Sequence, residues 1–316
     1  MNRNRLSGWL YSTIGLLLLA LSLYILQQEL ARYNLQDILN SLSSICARQL
    51  FFALGFTFLS CLAISCYDSI AFRCFKYGLD FKRILFTTFI TYAISNTTGF
   101  NLVIGGGIRY RFYSLWGVRA KDIAKITAFG NLTFWLGLLT LTGITFVINP
   151  VQLSFSLHLD LAIIRCIGIV ALLLAFSYLY LCYCRKKIRV KGKKISFPKP
   201  IIALFQIAIF TIDWALAAAV LYCLLLNYIN KSYFDFFNIY LIAMTASIIS
   251  NVPGGLGVFE TAIIFLLPKT MVVPNVLSSL LIYRTVRFLL PLTIAIFLIC
   301  CFEVKRRIQT KNKSEN

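Results

Sequence analysis

Histidine is nearly missing from this chain: His158 is the only one among 316 residues. That removes histidine-based acid–base and nucleophilic chemistry from consideration. Clustered metal ligands are missing too. Ten cysteines are present, but Cys182-x-Cys184 has no partner pair, and a zinc site needs Cys and His grouped at characteristic spacing. Cys61, Cys66, Cys166, Cys223, Cys300 and Cys301 lie instead in apolar runs, where cysteine serves as a small apolar filler. No metal or other cofactor is expected. Charge is also scarce: 13% of residues carry one, against about 25% in a soluble domain. The acidic share is thinnest, 11 residues against 31 Lys and Arg, for a net charge of +20.

What fills the chain is apolar sequence, 59% of all residues. Apolar runs occupy roughly 9–27, 49–71, 84–104, 122–148, 161–183, 201–228, 236–268 and 276–302. Several approach or exceed the ~20 residues that a helix needs to cross a bilayer. The fold class is therefore all-α, a polytopic integral membrane protein forming a single membrane domain over 1–316, with no room for a large soluble domain. The first run, preceded by Arg3 and Arg5, is long for a signal peptide. No small-x-small cleavage site follows it, so it reads as a retained first span. The basic excess does not indicate nucleic-acid binding. It is concentrated in the short loops, as the positive-inside rule requires.

Loop charge then fixes an expected topology. Arg73, Lys76, Lys82 and Arg83 mark 72–83 as cytoplasmic; the basic loop 184–200 and the basic tail 303–316 are marked likewise. Loop 149–160 has no Lys or Arg, and 229–235 has only Lys231, so both read as external. Residues 105–121, with Arg109, Arg111, Arg119 and Lys121, also read as cytoplasmic. Yet only the run 84–104 separates them from loop 72–83. A chain that begins and ends on one side has turned back, so 84–107 is expected to enter, turn near Ser95–Gly99 and return. The same parity makes 236–268 begin and end outside, turning at Ser250–Gly255. Both turns carry the same string: Ile94-Ser95-Asn96-Thr97-Thr98-Gly99 and Ile249-Ser250-Asn251-Val252-Pro253-Gly254. Gly99, Pro253, Gly254 and Gly255 are the expected helix breaks.

Two inverted repeats follow, approximately 46–148 and 201–302, each a span, a hairpin and a span, giving about six full spans plus two re-entrant or broken hairpins. Broken helices at corresponding places in inverted halves point to a transporter's binding site. Irregular backbone at membrane depth requires shelter from lipid. In a plainer alternative the glycines only kink ordinary spans; hairpin arms that each cross fully would keep the parity.

Ionisable side chains inside spans cost about 3 kcal/mol each on insertion scales, so each calls for a role. They are Asp68, Asp213, Glu260, Arg284 and Arg287, with Arg109 and Arg111 following Gly105–Gly107 at the mouth of the first hairpin. Arg284 and Arg287, three apart, fall on neighbouring positions of one helix face. Arginine's planar fork suits phosphate, and helix N-termini after the breaks favour anions. Structural pairing, Glu260 with Arg284 and Asp213 with another arginine, is the plainer alternative. The run 185–199 reads as a topology anchor that also attracts anionic lipid.

Ser95-Asn96 with Gly99 and Gly106-Gly107-Ile108-Arg109-Tyr110-Arg111 resembles the first signature of the lysylphosphatidylglycerol synthetase/flippase membrane-domain family. Asn251-Val-Pro-Gly-Gly-Leu-Gly-Val-Phe-Glu260 resembles the second, and Tyr283-Arg284 with Pro291 the third. The resemblance spans about 5–305. It implies a bacterial inner-membrane protein that moves lipid between leaflets, and the loop charges make it multi-pass with both termini cytoplasmic. It also implies that Asp68 and Arg109 occupy important polar positions. Members with a soluble C-terminal domain transfer an amino acid to phosphatidylglycerol; this chain stops at Asn316 without one.

The expected function is a flippase or exporter, not an enzyme, for an anionic or aminoacylated phospholipid or a related lipid. Asp68, Asn96, Arg109, Arg111, Asp213, Asn251, Glu260, Tyr283 and Arg284 are the expected lipid-translocation residues. Arg109, Arg111 and Arg284 would take the phosphate. Two alternatives stand beside it: a membrane-embedded headgroup transferase with Glu260 or Asp213 as base, and a non-catalytic partner of a separate lipid synthase.

Overall fold

A computed structural model describes residues 46–98, 101–148, 160–184, 187–190, 193–196, 198–229, 232–249, 253–268 and 273–315. The expected first span 9–27, most of loop 149–160, Gly99 and Asn251 lie outside the described residues.

The described chain is helical, as its composition requires. Five helices are long and apolar enough to cross a membrane. They are α1 (Ala47–Cys74), α4 (Ala120–Ile148), α5 (Leu161–Tyr183), α6 (Pro200–Leu225), and a continuous helix whose parts are α9 (Val273–Arg284), a π turn (Thr285–Leu289) and α10 (Leu290–Glu315). Between them lie α2 (Phe81–Thr98), α3 (Asn101–Leu115), α7 (Tyr233–Ile249) and α8 (Val258–Leu266). The basic loop contains structure that its sequence did not announce: strands β1 (Lys187–Val190) and β2 (Lys193–Ser196) pair antiparallel, with Ile188 opposite Ile195.

Local chemistry sets the helix ends. α1 stops where Lys76 enters the left-handed region at φ 57°, and the Tyr77 N–H bonds back to the Phe72 carbonyl at 3.0 Å. The Asp160 side chain caps α5 by accepting from the Ala162 N–H, satisfying one orphan donor of the first turn. Pro200 opens α6 at the one position where a missing N–H costs nothing.

α2 and α3 form an antiparallel hairpin. Thr88 faces Tyr113 (3.5 Å between hydroxyls), Phe86 faces Phe112, and Gly105 lies against Thr91 and Ser95. Its turn, expected near Ser95–Gly99, follows Thr98, where α2 ends; α3 begins at Asn101. Ser95–Thr98 form the last turn of α2, in which the Thr97 and Thr98 hydroxyls bond back to the Ala93 and Ile94 carbonyls. In the second hairpin the break falls where expected. α7 ends at Ile249, Pro253–Gly255 make one 3-10 turn, and Gly254 and Gly255 take φ of 60° and 63°, which glycine adopts without strain. α8 has only 9 residues. At 1.5 Å per residue it is roughly 13 Å long, so it does not cross a hydrocarbon core of about 30 Å.

The packing places α1 against α6, running antiparallel: the Gln49 side chain donates to the Cys223 carbonyl near one end, and Ser60 donates to Asp213 nearer the other. Phe210 of α6 sits directly on Gly137 of α4, where an added Cβ would stand 2.0 Å from the ring. α4 and α5 approach through Gly143 and Gly168, each against the other's carbonyl, the small-residue contact common between helices in lipid. α10 packs on α2, where Phe86, Phe112 and Phe302 meet at centroid distances of 5.4 Å. The Pro253–Gly255 turn of the second hairpin touches α2 of the first.

Candidate functional site

A cavity of about 580 Å³ lies where the two hairpins meet. Every described helix but α5, α8 and α10 contributes to its wall: Tyr67 from α1, Tyr92 and Asn96 from α2, Arg109 from α3, Asn131 and Trp135 from α4, Asp213 and Trp214 from α6, Tyr240 from α7, Tyr283 from α9 and Arg287 from the π turn. Gly254 and Gly255 of the second break close one side. Gly255 permits this approach, since a Cβ there would lie 1.6 Å from the Ser247 hydroxyl.

Two arginines face the cavity, each backed by a buried aspartate. Arg109 holds Asp68 with both arms of its fork, Nε to Oδ2 at 2.8 Å and Nη2 to Oδ1 at 2.9 Å. Asp68 is completely buried and also accepts from the Tyr113 hydroxyl at 2.7 Å. A buried carboxylate so fully satisfied is a fixed counter-charge. The second pair is looser. Arg287 Nη2 reaches Asp213 Oδ1 at 3.4 Å, while Asp213 takes closer support from the Ser60 hydroxyl. The Arg287 guanidinium lies 5.1 Å from the Tyr92 ring centroid, a cation–π contact. Its Nη1 is buried without a hydrogen-bond partner among the described residues, and so is the Thr91 hydroxyl on the same wall. Buried polar atoms without partners are rare in native proteins and mark places where water or a ligand completes the set.

Of the expected residues, Asn96, Arg109, Asp213, Tyr283, Gly254 and Gly255 come together at the cavity, with Asp68 directly behind Arg109. Tyr283 shares a hydrogen bond with Tyr240 at 2.8 Å. Three others are not among the lining residues. Arg111 turns to the opposite face of α3 and pairs with Glu303 of α10 at 2.5 Å. Glu260 and Arg284 pair with each other at 2.6 Å. Arg284 Nη1 also donates to the Gly254 carbonyl at 2.5 Å, and the Gly257 N–H donates to Glu260 at 2.8 Å. This pair, which the plainer alternative anticipated, ties the second hairpin's tip together. Pro253 begins the 3-10 turn.

The π turn corrects a second expectation. On a regular helix Arg284 and Arg287 would share a face. The turn bonds i to i+5 and is wider than an α turn, so Arg284 points to the hairpin tip and Arg287 to the cavity. π turns occur often at functional sites. Sequence reading placed Arg287 within a span but gave it no role. Tyr67, Tyr92 and Tyr240 were missed entirely, since a tyrosine in an apolar run carries no signal of facing a cavity.

A family model described as Lysylphosphatidylglycerol synthase TM region matches residues 12–295. A Synechocystis sp. protein named Uncharacterized protein slr0712 is 38% identical over 312 residues, covering 96% of each chain. The Inner membrane protein YbhN of Escherichia coli (strain K12) is 31% identical over 267 residues, 83% of each chain. A Phosphatidylglycerol lysyltransferase of Staphylococcus aureus is 26% identical over 299 residues, which is 94% of this chain and 34% of that protein.

Proposed function

The chain belongs to the lysylphosphatidylglycerol synthase TM-region family, and from that premise we propose that it moves an anionic or aminoacylated phospholipid between the leaflets of the cytoplasmic membrane. Its family and its spans make it a multi-pass membrane protein with a lipid-related role. The observation that carries the finer reading is the cavity between the hairpins, with Arg109 and Arg287 in its wall. A phosphodiester is the group that a buried, incompletely bonded guanidinium fits best. The headgroup enters the cavity; the acyl chains stay in lipid.

The two units α1–α4 and α6–α10 act as inverted copies, with all basic loops and both termini on the cytoplasmic side. The antiparallel pairing of their first helices supports this, as does the order in each of helix, hairpin, long helix. Rocking one unit against the other exposes the cavity to each leaflet in turn, the mode common to inverted-repeat transporters. The protein makes and breaks no covalent bond in this scheme; a separate synthase supplies any aminoacylated substrate.

Reconstitution in vesicles with a fluorescent phosphatidylglycerol tests the reading directly. Chemical quenching of the outer leaflet should reach most of the label with the native protein and about half without it. Arg287→Ala and Arg109→Ala should lower the rate at least tenfold. Native protein that leaves the label half-protected for every anionic or aminoacylated lipid would sink the reading. A change in lipid identity on removing the gene would point to a headgroup transferase instead.

A further inference from the structure

The charges around the cavity balance as they stand. Among its described lining residues Arg109, Arg287 and Asp213 are charged, and Asp68 behind Arg109 adds a fourth. Two guanidiniums and two carboxylates sum to zero. A phosphodiester entering this site brings a negative charge that nothing there offsets. An uncompensated charge in a buried site is costly, so another group has to change its charge when the headgroup binds.

The two aspartates differ in how readily they can do so. Asp68 is not among the lining residues, and its oxygens already accept from Arg109 Nε, Arg109 Nη2 and the Tyr113 hydroxyl. Asp213 does line the cavity, so water there reaches its carboxylate. Arg287 approaches one of its oxygens, Oδ1, at 3.4 Å, and the Ser60 hydroxyl donates to that same atom. Oδ2 has the Tyr67 hydroxyl 3.5 Å away. The other titratable groups around Asp213 are Cys61 and Tyr67 of α1 and Tyr92 of α2, with Tyr240 of α7 and Tyr283 of α9 on the same cavity wall. All five are neutral at physiological pH, and α4 presents Phe134 there. Arg287 is thus the counter-charge of Asp213 among the described residues, since Arg109 is bound by Asp68.

We propose that Asp213 is a proton-binding site coupled to the headgroup site, so that an anionic phospholipid binds together with one proton. The phosphate takes the partnerless Nη1 of Arg287 and draws the guanidinium from its long contact with Asp213. Left without a counter-charge, the buried carboxylate becomes the costly group. A proton from cavity water then forms an O–H bond on Oδ2; hydronium is left as water, and the new O–H donates to the Tyr67 hydroxyl oxygen. The phosphate's charge replaces the carboxylate's, and the site is neutral again. No bond of the lipid changes. This rests on reading the cavity as a headgroup site, and it adds the ion that accompanies the lipid. A headgroup that carries its own ammonium balances the charge itself and takes up no proton.

Titration calorimetry tests it on the full chain in detergent, with dioctanoyl phosphatidylglycerol as the ligand. Repeating the titration in buffers of different ionisation enthalpy counts the protons taken up per lipid bound. The native protein should take up close to one. Because the proton is then a co-ligand, affinity should fall as pH rises, by up to about tenfold per pH unit. Asp213→Asn keeps the shape but cannot take the proton, so uptake should vanish and affinity should stop responding to pH. Binding without proton uptake in the native protein overturns the proposal, and so does undiminished uptake in Asp213→Asn. If that variant does not fold, the native protein decides alone: a flat affinity profile across pH overturns the coupling. No binding of phosphatidylglycerol at any pH would sink the headgroup reading and this proposal with it. Proton-linked binding without leaflet exchange in vesicles would sink the flippase reading alone; exchange with proton-independent binding would sink this proposal alone.

Discussion

Two arginines line the cavity, and their bonding gives them different work. Arg109 spends both arms of its fork on Asp68, which Tyr113 also binds. Removing either partner leaves the other charge buried and uncompensated, at a cost of about 3–5 kcal/mol. Asp68→Ala and Arg109→Ala should each lower the thermal midpoint in detergent strongly, and the double variant should cost less than their sum, because contacting pairs are not additive. Strict additivity would contradict the pairing. Arg287 has a 3.4 Å contact to Asp213 and an arm to spare. Arg287→Lys keeps the charge but loses the planar fork. It should hold near-native thermal stability while lipid movement falls at least tenfold; native rates in this variant would remove Arg287 from the phosphate site. Asp68, Arg109 and Asp213 stood out in the sequence because ionised groups in apolar runs are costly, and the structure places them in or directly behind the cavity wall. Arg111, Glu260 and Arg284 met the same criterion and turned out to be paired elsewhere, since burial cost says only that a partner exists, not which one.

At the scale of elements, the second hairpin tip depends on a clamp. Arg284 ties Gly254 to Glu260, and Glu260 caps the start of α8 through the Gly257 N–H. Glu260→Ala should therefore speed hydrogen exchange across 247–260 while leaving α1 and α6 protected. Uniform acceleration everywhere would mean that the clamp supports the whole fold, and no change would mean that it supports nothing. Helix contacts are equally specific. Gly137→Val drives a side chain into Phe210, and overpacking of this kind costs about 1–3 kcal/mol or more. Phe210→Ala on the same background should recover part of the lost thermal midpoint. The glycine-rich break at 253–255 could be read from composition, because Pro and paired Gly stop helices wherever they occur. α2 runs through Ser-Asn-Thr-Thr and ends at Thr98, its last two hydroxyls bonded to carbonyls one turn back; the expected break at Gly99 lies outside the described residues. The π turn was not legible, since no residue pattern in Thr285–Leu289 announces one.

For the whole molecule, the inverted arrangement makes a topological prediction. Alkaline phosphatase fused after Tyr228, between α6 and α7, should be active. Fusions after Phe75, between α1 and α2, or at the C-terminus should be inactive. Activity at the C-terminus, or inactivity after Tyr228, would break the inverted relation and with it the rocking scheme. If the relation holds, the two broken strings that the halves share meet across one cavity, one from each side of the membrane. The antiparallel contact of α1 with α6 is the seam on which the units would move.

The sequence alone determined that this is a helical membrane protein, where most of its helices lie, and that charged residues sit inside them. Hydrocarbon imposes those features residue by residue: it demands long apolar helices, confines lysine and arginine to loops, and penalises every buried charge. Only the tertiary structure decided which charges face each other. Pairing depends on how helices rotate and cross, and a single π turn is enough to send Arg284 to a hairpin tip and Arg287 into the cavity.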